Sequence, residues 1–106
     1  NISVKRDLIH VDDLADAIIK SIPLKKNFEI LNIGSGKSHG IRKIINILQK
    51  ISGLQTPIKN KGLNKSGEIL STQLNINKAR KVLGWTPSYS LEKGLRNTMY
   101  SFNINN

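Results

Sequence analysis

Three groups of residues have the types and spacing to do chemistry. Gly34-Ser35-Gly36-Lys37-Ser38 lies between an apolar run and an amphipathic one and matches the back half of a phosphate-cradling loop. In such loops, backbone N–H groups and a lysine hold the phosphates. The complete pattern needs a glycine at position 31, which is Leu31, and a nucleotidase needs a later carboxylate at the end of an apolar strand to hold Mg²⁺. Glu68 and Glu92 follow no such run. The turn is therefore expected to exist because a buried strand must reverse into a helix, its N–H groups remaining open to a phosphate. Tyr89-Ser90-Leu91-Glu92-Lys93 has the Tyr-x-x-x-Lys spacing by which dehydrogenases place a phenol and an ammonium on one helix face. Ser90, however, reads as a helix N-cap, which leaves Tyr89 outside the helix as a packing residue beside Trp85. His10 sits in an apolar strand and reads as a satisfied core residue, and His39 reads as an exposed residue at a helix start. Neither has a metal partner at helical or strand spacing. Asp12 and Asp13 are adjacent, so they point apart and suit helix capping better than paired acid–base work.

The elements that must position these residues alternate strand with helix. Residues 4–11 predict a short strand, followed by a helix with Asp12 or Asp13 as cap and Leu14, Ala17, Ile18 and Ile22 on its inward face, ended by Pro23. Residues 24–27 read as a basic turn. Phe28-Glu29-Ile30-Leu31-Asn32-Ile33 predicts a second strand, apolar enough to be buried on both faces. Ser38 is expected to cap a helix with Ile41, Ile44, Ile45, Leu48 and Ile51 on one side, stopped by Gly53. Residues 57–59 read as a third, edge strand and residues 60–71 as a loop of the length that more often serves function. Asn77 caps a short helix closed by Gly84, and Trp85-Thr86-Pro87 reads as a rigid connector. The last helix is expected to face Leu91, Leu95, Met99 and Phe102 inward. The pattern predicts an α/β fold, a small two-layer or three-layer-like domain with a short, mostly parallel sheet and about four helices.

A chain of 106 residues is one small domain or part of a larger one. It has no cysteine, which excludes disulfides and thiolate metal sites and suits a reducing cytoplasm. No apolar run approaches the ~18 residues of a membrane span, so the chain reads as soluble and without a membrane partner. The net charge of +10 invites an anionic partner, yet Lys and Arg are spread along the whole length and only Lys25-Lys26 and Arg42-Lys43 stand adjacent. The five aromatics do not interleave with the basic residues as a nucleic-acid stacking platform requires. The chain opens at Asn1 and enters an apolar run almost at once, which reads as a segment of a longer protein.

Four landmarks in order resemble a known family. Arg6-Asp7-Leu8-Ile9-His10-Val11-Asp12-Asp13 looks like the Arg-Asp-Phe-Ile-(Tyr/His)-Val-Asp-Asp segment of extended short-chain dehydrogenases, the NAD-dependent nucleotide-sugar epimerases and dehydratases typified by UDP-glucose 4-epimerase. Phe28 to Gly36 is similar to the family's Tyr-Asn-Ile-Gly-Ser-Gly strand. Lys78-Ala79-Arg80-Lys81-Val82-Leu83-Gly84-Trp85-Thr86-Pro87 resembles its Lys-Ala-x-x-x-Leu-Gly-Trp-x-Pro run, and Tyr89 to Leu95 its final helix start.

The resemblance implies that residues 1–106 are a single carboxy-terminal, substrate-binding domain, with NAD and the catalytic Tyr-Lys pair held by an amino-terminal Rossmann domain not included here. The partner implied is a nucleoside-diphosphate sugar. Arg6 aligns with an arginine that contacts the substrate diphosphate, the competing reading being an ion pair with Asp7 or Asp12. Lys65-Ser66-Gly67-Glu68 aligns with the family's Arg-x-Gly-Asp/Glu, in which the cation meets the diphosphate and the acid the ribose hydroxyls. Lys65 keeps the charge of that arginine but loses its planar fork. Family members are often homodimers, through helices outside this segment. The alternatives are a basic nucleic-acid-binding module, supported by charge alone, and a P-loop nucleotide-binding protein using Lys37.

Overall fold

The computed structural model describes residues 1–25, 28–62 and 66–102. In chain order its elements are β1 (Lys5–Asp7), α1 (Val11–Ser21), β2 (Ser38–Gly40), α2 (Ile41–Ser52), α3 (Asn77–Leu83) and α4 (Leu91–Phe102). β1 and β2 pair antiparallel, with Lys5 opposite Gly40, Arg6 opposite His39 and Asp7 opposite Ser38. Beyond β1, an isolated parallel bridge joins Lys5 to Ser71. There the Lys5 N–H donates to the Leu70 carbonyl at 2.8 Å and the Thr72 N–H to the Lys5 carbonyl at 3.2 Å. The α/β class and the four helices agree with the sequence, but the sheet does not, because its one ladder is antiparallel. Residues 28–33 alternate in burial but join no ladder, and residues 57–59 form no strand. The Cα envelope, 51 × 41 × 16 Å, is thick enough for two layers at ~10 Å spacing and not for three.

Local chemistry explains the helix ends. His10 caps α1 from the extended region, its Nδ1 accepting the Asp12 N–H at 3.2 Å. Asp12 and Asp13 therefore occupy the first turn, where negative charge suits the helix dipole, instead of the cap. α2 starts at Gly40 without a side-chain cap, because Ser38 to Gly40 are drawn into β2, and ends at Gly53 with φ +70°. Ser90 does cap α4, its Oγ accepting the Lys93 N–H at 3.2 Å. Gly84 closes α3 at φ +61° and donates to the Arg80 carbonyl.

The core is small. Ala17, Ile76, Ala79 and Trp85 are buried together, with Ile9, Leu31, Ile33, Leu74 and Leu83 packed around them. Trp85 is more than a connector: it is fully buried and its Nε1 donates to the Asp13 carbonyl at 3.0 Å. On α1 only Ala17 of the expected inward face is buried; Leu14, Ile18 and Ile22 turn outward. Phe102 likewise points to solvent, whereas Leu91, Leu95 and Met99 are half-buried.

Two carboxylates pin the loops to this core. Asp7 accepts from the Ser35 N–H at 2.8 Å, the Ser35 Oγ at 2.6 Å, the Gly36 N–H at 3.0 Å and the Leu74 N–H at 3.1 Å. Asp13 accepts from the Ser88 N–H at 2.9 Å, the Ser88 Oγ at 2.8 Å and the Tyr89 N–H at 3.0 Å. Burial pushes the Asp7 carboxyl up, but the Ser35 hydroxyl and the N–H groups of Leu74, Ser35 and Gly36 outweigh it and hold it below the usual value of 3.8. For Asp13, burial is likewise outweighed by the donors from Ser88 and Tyr89. Gly34 is required beside Asp7, since a Cβ there would lie 3.2 Å from a carboxylate oxygen and from the Leu74 Cβ.

These contacts set two expectations. Trp85→Ala lowers the unfolding free energy by about 3–5 kcal/mol, read as a fall in urea midpoint, since it empties the centre of the core and removes the indole bond to the Asp13 carbonyl. Both carboxyls have lowered folded-state pKa values, so their stabilisation is complete above 3.8, the ordinary aspartate value, and is lost as pH falls through the lowered values. The urea midpoint therefore drops between pH 5 and pH 2. The drop shrinks in the Asp7→Asn, Asp13→Asn double variant, and an equal drop in both proteins contradicts this account.

Candidate functional site

Arg6 is held in the middle of β1, and its Nη1 donates to its neighbour's carbonyl, on Lys5, at 2.8 Å and to the Ile69 carbonyl at 2.8 Å. These two bonds aim the guanidinium at the segment that carries Glu68. The remaining three N–H donors, on Nη2 and Nε, meet no partner among the described residues. The ion pairs expected as a rival reading are not made. Asp7 is committed to the 34–36 turn, and Asp12 accepts the Tyr89 hydroxyl at 3.0 Å and lies 3.6 Å from His10 Nδ1. Glu68 is half-buried and accepts from the Asn1 Nδ2 at 2.9 Å. Lys65 lies outside the described residues. The structure thus brings Arg6 and the Glu68 segment side by side.

The glycine turn is closed to phosphate. The Ser35 and Gly36 N–H groups end on the Asp7 carboxylate, and the Lys37 N–H ends on the Ser35 Oγ at 3.1 Å. An internal carboxylate occupies the position that a P-loop leaves for its ligand. For the same reason this turn does not fit the pyrophosphate of a dinucleotide cofactor. Among the described residues no group of three or more His, Asp or Glu side chains is arranged to hold a metal.

Tyr89 and Lys93 form no catalytic pair. Lys93 Nζ lies 4.7 Å from the ring centroid, over the face, while the hydroxyl is held by Asp12. That hydrogen bond, burial and the Asp12 and Asp13 charges all raise the Tyr89 pKa, which keeps the phenol protonated. The ring stacks on His10, with centroids 3.9 Å apart. The His10 side chain is 5% exposed and fully satisfied, as Nε2 pairs with Asn97 Oδ1 at 3.1 Å. His39 lies in β2, half-buried, and not at an exposed helix start. Burial and the nearby Lys43 and Lys37 lower its pKa against the opposing pull of Asp7.

A cavity of about 580 Å³ opens between α4, the start of α1 and β2, and Lys37, His39, Lys43, Arg80 and Tyr89 contribute to its wall. Arg6 and Glu68 are not part of that wall. What sequence reasoning missed is the work of Asp7 and Asp13, which are answered by Ser35 and Ser88, 28 and 75 residues away along the chain.

No family model matches the chain. It is 36% identical over 96 residues to a UDP-glucuronate 4-epimerase of Thermodesulfobacterium geofontis, an alignment covering 89% of this chain and 29% of that protein. Its fold is similar to UDP-glucose 4-epimerase of Thermotoga maritima solved with UDP-glucose, with a TM-score of 0.85 and 30% identity over 96% of this chain and 32% of that one. It is also similar to UDP-glucuronic acid 4-epimerase of Bacillus cereus in complex with NAD, with a TM-score of 0.72 and 33% identity over 91% of this chain and 29% of that one. Spanning about three tenths of the length of these relatives, the chain belongs to the extended short-chain dehydrogenases, among the NAD-dependent nucleotide-sugar epimerases and dehydratases.

Proposed function

We propose that this chain is the substrate-holding portion of a nucleotide-sugar epimerase or dehydratase and grips the nucleoside diphosphate through Arg6, Lys65 and Glu68. The observation that carries this reading is the Arg6 guanidinium, tethered by two carbonyls with three donors left over and no carboxylate against it among the described residues. Such a fork matches adjacent phosphate oxygens, and a charge-assisted contact of that kind contributes about 1.5–3 kcal/mol. Lys65 adds a second cation from the loop, and Glu68 accepts from ribose hydroxyls. The similar enzymes of T. maritima and B. cereus are described with UDP-glucose and with NAD, respectively, which supports the same ligands for the parent protein. NAD and the residues that move hydride and proton act from outside these 106 residues, because the glycine turn here is filled by Asp7. The setting that suits a cysteine-free chain of this kind is the cytoplasm.

The test is an amide NMR titration with UDP-glucose in the absence of Mg²⁺. Shifts are expected at residues 5–7 and 65–69, and Arg6→Ala is expected to weaken binding about 10–100-fold. Lys65→Ala weakens it less, since a lysine makes a single-point contact. Shifts confined to residues 34–40, or binding that demands Mg²⁺, would sink this reading and restore the P-loop one.

A further inference from the structure

The cavity between α4, the start of α1 and β2 has a wall of two kinds. One part is cationic. Lys37 comes from the glycine turn, His39 from β2, Lys43 from the first turn of α2 and Arg80 from α3. Among the described residues, none of Lys37, Lys43 and Arg80 has a carboxylate or any other side-chain partner. The wall's one carboxylate, Glu92, is engaged by Arg96 of its own helix at 3.4 Å. The other part is apolar, made by Ile47 on α2 with Leu91 and Leu95, one turn apart on α4. These three are half-buried, whereas Lys37, Lys43 and Arg80 are exposed. The charge therefore stands at the mouth and the apolar surface behind it.

Charge gathered in this way works against the fold. The first turn of α2 holds Arg42 and Lys43 and no acid, so both cations face the positive end of the helix dipole. His39 records the same field. Burial first, and then the Lys43 and Lys37 charges, hold its pKa below the ordinary histidine value against the pull of Asp7. Like charges drawn together from four elements, without an internal counter-ion, are relieved by an anion from outside. The volume of about 580 Å³ lies in the range of small-ligand sites, roughly 300–1,000 Å³.

We propose that this cavity is a second anion site and takes a small organic phosphate, the phosphate lying among Lys37, Lys43 and Arg80 and an apolar body against Ile47, Leu91 and Leu95. Three full charges suit a dianion better than a single carboxylate. Arg80 supplies the planar fork from which two phosphate oxygens accept. The apolar body gains from the isoleucine and the leucines what a bare inorganic ion cannot. Neither Arg6 nor Glu68 is part of the wall, so the inference does not rest on the functional reading above.

The probe is phenyl phosphate, titrated into the free chain at low salt without Mg²⁺ and followed by amide NMR. Saturable shifts are expected at residues 37–43, 80 and 91–95, with residues 68–70 unmoved. Lys43→Ala with Arg80→Ala weakens binding about 10–100-fold. Lys43→Arg, which keeps the charge, leaves it unchanged. Both positions are exposed, so the urea midpoint without ligand changes little. Lys37→Ala, outside every helix, weakens binding in the same direction, and undiminished binding in both Ala variants overturns the proposal. Inorganic phosphate is expected to move the same cationic residues about tenfold more weakly and to leave residues 91–95 in place. Shifts spread evenly over the basic residues also overturn the proposal, since they describe a solvated basic surface. So does UDP-glucose that displaces phenyl phosphate from residues 37–43, which makes the cavity part of the sugar nucleotide's own site. An Arg6→Ala protein that loses UDP-glucose and still binds phenyl phosphate establishes two separate sites.

Discussion

The fold depends on two aspartates six residues apart that act as internal anions. Asp7 reaches two segments 28 and 67 residues away along the chain, and Asp13 reaches one 75 residues away. Each gathers backbone N–H groups that an irregular loop would otherwise leave to water, and each is partly or wholly taken from solvent to do so. A carboxylate surrounded by three or four donors keeps its charge at little cost, whereas the same loops without it would have no fixed path. With so few buried apolar side chains, the hydrogen bonds to these two oxygen pairs set where the 34–36 turn, the 72–75 segment and the 88–89 corner lie. Everything at the candidate site follows, because Arg6 shares its strand with one anchor and the Glu68 segment runs on to the Lys5–Ser71 bridge and then to Leu74 on that same anchor.

The sequence conveyed the helices well and the sheet poorly, for a physical reason. Helices α2 and α4 carry their own signals, namely an isoleucine stripe ended by Gly53 and a serine three residues ahead of Lys93, whose N–H it accepts. Strands need partners, and periodicity says nothing about whether partners are present. The run from Phe28 to Ile33, read as a strand, alternates in burial but joins no ladder among the described residues. Ser38 to Gly40 read as the approach to a helix, and they became a strand only because β1 offered an edge. The inward face assigned to α1 came from the right residues on the wrong side: helical spacing finds a stripe, but cannot say which neighbour it meets.

The site shows the same division. Arg6 was visible through its place in an ordered motif, and the structure adds that the guanidinium is tethered and unopposed. The glycine turn was a persuasive false signal, because a loop that cradles a phosphate and a loop that cradles a side-chain carboxylate need the same glycines and the same N–H geometry. Only the position of Asp7 separates them. The tyrosine and lysine at 89 and 93 mislead in a similar way: the spacing brings them together, but over the ring face and with the hydroxyl turned to Asp12.

Trp85 is the chain's single tryptophan, it is fully buried, and its indole N–H ends on the carbonyl of Asp13. The protein therefore carries its own optical probe at the junction of α1, α3 and the 88–89 corner, free of any competing indole signal. Its emission colour reports the polarity of that one junction, so loosening of the Asp13 clamp, by acid or by heat, becomes legible as a red shift without any label being introduced.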